Sequence, residues 1–255
     1  SISNDMKKLR ATFHDGRIIH DGVALCLVGC PNVGKSSLMN ALLEKDRAIV
    51  SPIAGTTRDV LEDHMKLNGL NFKLVDTAGV RNANEVIEQE GIRRTKEAMQ
   101  SADLILLLLD AEKGLQPEDE ELISQLPPKK TVVVWNKCDL PHQPLPMLPY
   151  PHIVHVSAKY KEGLDKLRHQ IDEVIWEGGA PAKDEIMITQ VRHFEALKAS
   201  IEALDKIIQG LQTGISPEFL AFEMRQSMME LGKIIGTNIT EDILSAIFSK
   251  FCIGK

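Results

Sequence analysis

Residues 23–43 read Val-Ala-Leu-Cys-Leu-Val-Gly-Cys-Pro-Asn-Val-Gly-Lys-Ser-Ser-Leu-Met-Asn-Ala-Leu-Leu. The first six are an apolar run sized for one buried strand. Residues 29–36 have the form G-x-x-x-x-G-K-[ST], and an apolar stretch with helical spacing follows. Strand, tight loop and helix N-terminus, in that order, are the context a phosphate-binding loop requires. Gly29 and Gly34 admit backbone angles that a side chain would block. The N–H groups over Asn32, Val33, Gly34, Lys35, Ser36 and Ser37 can then turn toward a phosphate, where the helix dipole adds positive potential. Lys35 can reach the β- and γ-phosphates, and the Ser36 hydroxyl suits Mg²⁺.

Outward from this loop, strand-like and helix-like runs alternate as far as about residue 177. The patterns predict strands at 23–28, 58–67, 70–76, 104–109, 131–135 and 153–156. They predict helices at 35–44, about 88–100, 117–125 and 162–176. Asn68-Gly69 between two strand patterns predicts a hairpin, so one strand should run antiparallel. The expected fold is α/β: a mostly parallel six-stranded sheet covered on both faces. The proline-rich segment 141–152 reads as an irregular surface loop. Beyond Gly178-Gly179-Ala180-Pro181 the pattern becomes purely helical. Val191, Phe194, Leu197, Ile201, Leu204, Ile208 and Leu211 make one apolar seam that Gly214 should end. Ser216-Pro217 should start a second helix and Thr240 a last one. Residues 4–17 predict one short helix able to join this group. The α/β domain (20–178) then reads as an insertion into an all-α domain formed by 1–19 and 179–255.

The bulk numbers exclude several classes. The chain has 255 residues, 43% of them hydrophobic, enough for a proper core. No apolar run reaches the length of a membrane span, and the polar start lacks a signal peptide's apolar region. A formal charge of −6 argues against a broad nucleic-acid surface. The four cysteines, Cys26, Cys30, Cys138 and Cys252, form no C-x-x-C pair or zinc spacing. A nucleotide-binding chain without a secretory signal is expected to be cytoplasmic, with reduced thiols.

Two further motifs address the base. Asn136-Lys137-Cys138-Asp139 follows the strand pattern at 131–135. The Asp139 carboxylate can accept two hydrogen bonds from guanine, and adenine would leave it desolvated and unpaired. Asn136 can tie this loop to the phosphate loop, and the Lys137 stem can lie over the base. Ser157-Ala158-Lys159 follows the next strand and offers a backbone N–H to guanine O6. Two motifs address hydrolysis. Asp76-Thr77-Ala78-Gly79 ends a strand: Asp76 can bind Mg²⁺ through water, and the Gly79 N–H can bond the γ-phosphate. In Gly55-Thr56-Thr57-Arg58-Asp59 a threonine can close on Mg²⁺ only while the γ-phosphate is present. Thr57 is the first choice for that ligand and Thr56 the competitor. After Gly79, where Ras-like GTPases often carry a water-orienting Gln, stands Val80. Glu85, Glu88 and Glu90 on the following stretch are the acids that could take over.

This set of motifs, with the terminus Cys252-Ile253-Gly254-Lys255, resembles the MnmE (TrmE) family of tRNA-modification GTPases. The terminus discriminates most, because the nucleotide motifs alone also suit Era- and Der-like ribosome-assembly GTPases. The resemblance covers the whole chain but only the later part of the family architecture, without its N-terminal folate-binding dimerisation domain. It implies a Ras-like P-loop GTPase domain inserted in a helical domain, using GTP/GDP, Mg²⁺ and K⁺. It implies installation of a carboxymethylaminomethyl or aminomethyl group at C5 of the tRNA wobble uridine, with an MnmG-like flavoprotein. It also implies hydrolysis when two G domains pair as a homodimer, with K⁺ at their interface and no membrane involved. Asn32 matches the family's K⁺-ligating Asn, and backbone groups around Ser51, Ile53 and Thr56 would complete that site. Glu88, three residues before Gly91-Ile92, matches the water-orienting glutamate, beside Lys35 and Gly79 in the catalytic set. Cys252 matches the family's terminal cysteine, read here as structural or positioning, with a reactive role in the modification chemistry as the alternative.

Two other readings stand beside this one. A ribosome-assembly GTPase usually appends an RNA-binding module, and residues 182–255 show helices without a GXXG loop. A nucleotide-switched scaffold, with hydrolysis incidental, is kept open by Val80. The base-reading assignment predicts that Asp139→Asn lowers the preference for guanine over other bases in competition binding; retained selectivity would refute it.

Overall fold

The computed structural model describes residues 2–44, 64–75, 97–176, 179–182 and 185–236. The chain divides into two compact units: Asp21–Pro181, and Ser1–His20 together with Ala182–Lys255.

The first unit is built on a six-stranded sheet. Its strands are β1 (Val23–Val28), β2 (His64–Leu67), β3 (Leu70–Val75), β4 (Leu104–Asp110), β5 (Thr131–Asn136) and β6 (His152–His155). Their order across the sheet is β2-β3-β1-β4-β5-β6. All neighbours are parallel except β2 and β3, which the Asn68-Gly69 turn joins as a hairpin. Both turn residues have positive φ, 51° and 85°, as a two-residue hairpin turn demands. Every residue of β4 and β5 is buried, which explains why these strands read as continuous apolar runs rather than as alternating ones. The sheet carries α3 (Lys35–Glu44), α4 (Pro117–Gln125) and α5 (Leu164–Ile175). Because β1 lies between β3 and β4, the strand order reverses beside it. Its carboxyl end is therefore the crevice where an open parallel sheet binds ligands. The phosphate-loop motif begins there, at Gly29.

The second unit contains α1 (Ile2–Ala11), most of α2 (Phe13–Asp21), α6 (Val191–Thr213) and α7 (Pro217–Ile235). Its core joins Met6, Ile188, Leu197 and Ile201, with Leu9, Phe13, Phe194, Leu204, Leu231 and Ile234 packed around them. The Phe13 and Phe194 rings stack at 4.5 Å, and Lys7 pairs with Asp205 at 2.8 Å. At the α6–α7 seam two fully buried hydroxyls, Ser200 and Ser227, satisfy each other at 2.7 Å. The α6 seam ends as expected at Gly214, left-handed with φ 72°.

Two expectations are corrected. Residues 4–17 are not one helix: α1 and α2 break at Thr12. The Thr12 hydroxyl donates to Leu9 O at 2.7 Å, competing with the helical ladder, and accepts from Ile188 N at 3.2 Å. Residue 188 passes so close that a Cβ at Gly16 would stand 2.2 Å from Ile188 O. The proline-rich stretch is irregular but not merely superficial. Tyr150 is buried, its hydroxyl donates to Ile123 O at 2.8 Å, and Leu145 and Leu148 pack on the sheet core. The expected helices over 88–96 and after Thr240 lie outside the described residues.

Leu107 sits in the middle of β4 with no exposed surface. Leu107→Ala is expected to lower unfolding stability by about 2–5 kcal/mol. Chemical denaturation, followed on the transition of the sheet-containing unit, checks this.

Candidate functional site

Three loops meet beyond the carboxyl ends of β1, β5 and β6, and one side chain joins them. Asn136, the last residue of β5, is buried. Its Nδ2 donates to Val33 O in the phosphate loop at 2.8 Å. Its Oδ1 accepts from Ala158 N in the Ser157-Ala158-Lys159 loop at 3.0 Å. The amide thus fixes the spacing between the phosphate-binding and base-binding segments. Gly34 makes the approach possible: its φ is 100°, and a Cβ there would fall 2.3 Å from Asn136 Nδ2. Gly29, with φ 147°, has the same necessity against Leu108 O.

Within the phosphate loop, Asn32 is left-handed (φ 64°) and exposed. Val33 is buried, a wedge under the loop, while Ser36 and Ser37 stand exposed on the first turn of α3. The helix begins with Leu38 N donating to Gly34 O at 2.9 Å. Lys35 folds back on the loop, its Nζ 2.6 Å from Gly29 O and 3.0 Å from Cys30 O. Burial pushes its ammonium below the ordinary lysine range, partly opposed by Cys30. A phosphate would replace those carbonyls as a charge-assisted acceptor.

The base loop is held as tightly. Lys137 is left-handed (φ 64°), and its Nζ donates to Asp110 Oδ2 at 2.6 Å. The turn closes with Leu140 N on Lys137 O at 3.0 Å, leaving Asp139 half-buried. Cys138 N donates to Val156 O at 3.1 Å. Ser157 is buried and its hydroxyl accepts from Tyr160 N at 3.2 Å; Lys159 is exposed. The Ala158 N–H is already given to Asn136, so a guanine O6 must share it or take a neighbouring N–H of the same loop.

The structure brings together Asn32, Val33, Gly34, Lys35, Ser36, Ser37, Asn136, Lys137, Asp139, Ser157, Ala158 and Lys159. Ser51, Ile53, Thr56, Thr57, Asp76, Gly79, Glu88 and Cys252 lie outside the described residues. Among the described residues no group of three His, Cys, Asp or Glu side chains could hold a metal, and no helix is long and apolar enough to cross a membrane. Two residues at the site were not anticipated, Asp110 and Asp119. Asp119 Oδ1 accepts from the Cys30 thiol at 3.1 Å.

The chain is similar to several known proteins. A family model described as 50S ribosome-binding GTPase matches residues 24–137. The tRNA modification GTPase MnmE of Protochlamydia amoebophila (strain UWE25) is 66% identical over 253 residues, covering 99% of this chain and 55% of that protein. The protein of the same name from Alkaliphilus oremlandii (strain OhILAs) is 40% identical over 263 residues, covering 100% of this chain and 56% of its own length. Over nearly its whole length the chain is similar to MnmE proteins. It spans about half the length of the MnmE relatives it matches. Among solved structures, Aquifex aeolicus Era bound to GDP and aluminium fluoride is 27% identical with a TM-score of 0.39, over 71% of this chain and 66% of that one.

The Cys30 thiol offers a direct check on the loop. Burial, and then the Asp119 carboxylate that accepts its hydrogen bond, push it up to about 12. At pH 8 it is therefore protonated and should alkylate slowly; a rate midpoint near pH 8.5 in peptide-resolved mass spectrometry would contradict this. Gly34→Ala should weaken GDP binding at least about tenfold through the displaced Asn136 amide, with the circular dichroism of the unbound protein unchanged.

Proposed function

We propose that this chain binds GTP and hydrolyses it to GDP and phosphate, as the GTPase portion of a protein that modifies the wobble uridine of tRNA. The observation that carries the nucleotide part is the Asn136 amide. It ties Val33 of the phosphate loop and Ala158 of the base loop into one frame. What is known of the MnmE relatives by name supports the tRNA part.

In this reading the phosphate-loop N–H groups and Lys35 hold the β- and γ-phosphates, and Asp139 reads the guanine edge. Lys35 is suited to the task because it sits desolvated against two carbonyls that a phosphate outcompetes. Ser36, Thr57 and Asp76 would hold Mg²⁺, which when bound neutralises charge on the phosphates. Ser36 fits, standing exposed on the first turn of α3 beside the loop. Asn32 would hold K⁺ with backbone groups of Ser51, Ile53 and Thr56. Its left-handed backbone and exposed position suit a ligand reached from outside the loop. A fixed cation there stabilises charge developing on the transferring phosphoryl group, as an arginine finger would. Glu88 would orient the attacking water, replacing the amide that Val80 lacks, and the Gly79 N–H would bond the γ-phosphate. Pairing of two G domains, an MnmG-like flavoprotein and tRNA complete the proposal. The modification chemistry itself would draw on the part of the relatives' length that this chain does not span.

Single-turnover GTP hydrolysis tests the reading. It should run faster in K⁺ than in Na⁺ and rise with protein concentration. Equal rates across alkali cations, with Asn32→Ala matching the parent, would remove the K⁺ assignment. Glu88→Ala should bind GTP normally but hydrolyse it roughly 10²-fold more slowly; an unchanged rate would move the role to another group.

A further inference from the structure

Two buried carboxylates in the segment from the end of β4 to the first turn of α4 have no part in the proposal above. Asp110 is 3% exposed and Asp119 is 2% exposed. A buried carboxylate costs stability unless it is paired and hydrogen-bonded. Both are hydrogen-bonded through both oxygens, and Asp110 is also ion-paired. Asp110 spends one oxygen on its own segment, Oδ1 accepting from Glu112 N at 3.1 Å. Its other oxygen, Oδ2, accepts from Lys137 Nζ at 2.6 Å. Asp119 likewise takes Gln116 N on Oδ2 at 3.2 Å, closing the cap of α4. Its Oδ1 takes the Cys30 thiol of the phosphate loop at 3.1 Å. The main chain adds one more tie, Ala111 N donating to Asn136 O at 2.9 Å.

The surroundings show why such support is needed. Lys137 holds a left-handed backbone that a non-glycine residue rarely adopts. Holding it there requires something outside the turn, and the Asp110 ion pair fixes the far end of the same residue. Cys30 stands directly after Gly29, where the loop leaves β1. Its thiol stays protonated at neutral pH, so it serves as a donor to Asp119 and not as a competing anion.

We propose that the segment 110–119 is a buttress of the nucleotide site, with Asp110 positioning Lys137 on the base side and Asp119 positioning the phosphate loop through Cys30. The proposal rests on the guanine-nucleotide reading and adds two positioning residues to it. Neither touches the ligand; each fixes a group that does. The two lesions should therefore differ in which half of the nucleotide they affect.

The experiment measures GDP, GMP and IDP binding by competition against a fluorescent GDP analogue, with thermal melts of the nucleotide-free chain. Asp110→Asn should weaken GDP and GMP by the same factor, about tenfold, because both carry the base. Its preference for GDP over IDP should hold, since Asp139 still reads the exocyclic amine. Asp119→Asn should narrow the ratio of GDP to GMP affinity, because the loss falls on the β-phosphate. Cys30→Ala should reproduce that narrowing, and Cys30→Ser, which keeps a donor, should restore the ratio. If the parent binds GDP and all variants bind like it, the buttress role is overturned. It is equally overturned if the variants lose GDP and GMP alike in step with a lowered melting temperature. A parent that does not bind GDP would overturn the guanine reading itself, and the buttress with it.

Discussion

The site depends on one amide. Asn136 must donate to Val33 O and accept from Ala158 N at once, and only a carboxamide side chain has a donor and an acceptor so placed. A carboxylate would put an oxygen against Val33 O, and a hydroxyl could not span both loops. The rest of the unit can be read as the means of placing this group. β5 is buried along its whole length, so Asn136 has one register and one height at the sheet edge. Gly34 carries no Cβ, so the amide can approach the loop to hydrogen-bonding distance. Since the group is buried, leaving either half unpaired would cost about 1–3 kcal/mol. That penalty makes the spacing of the loops stiff.

Much of this was legible in the sequence, because strand and loop identity are local properties. The Lys35–Glu44 helix starts at the residue the phosphate loop predicts, and the Asn68-Gly69 hairpin joins the antiparallel strands β2 and β3. The tie between Asn136 and the phosphate loop was also readable, since the motif's residue type allows little else. What was not legible depends on partners remote in sequence. Thr12 looks like an ordinary helix residue until Ile188 N arrives to claim its hydroxyl. Tyr150 sits among prolines and gives no sign that Ile123 O will bind it.

The two buttressing aspartates were missed for opposite reasons. Asp110 closes an apolar strand and reads as the polar end of a buried run. Asp119 lies in Pro-Glu-Asp-Glu-Glu, where acids at a helix start look like simple complements to the dipole. The usable signal was the single charge at the end of a seven-residue strand that is otherwise wholly apolar. For Asp119 the useful hint was its place three residues after Gln116, the spacing of a capping box. Burial turned both from decoration into structure.

The contact between Thr12 and Ile188 joins residues 176 positions apart, so the helical unit closes around a long intervening chain. Thermodynamically this is mild, since loop-closure entropy grows only with the logarithm of length, about 0.6 kcal/mol for each doubling. Kinetically it matters more, because contacts of high sequence separation form late. The sheet-bearing insertion draws mainly on contacts within 21–181 and can collapse on its own account. The helices α1 and α6 must wait for their meeting. Ribosomal synthesis sharpens the order, since α1 emerges before the sheet-bearing unit and α6 only after it. During that interval Met6 and Leu9 of α1 and Phe13 of α2 lack the cover that α6 gives them.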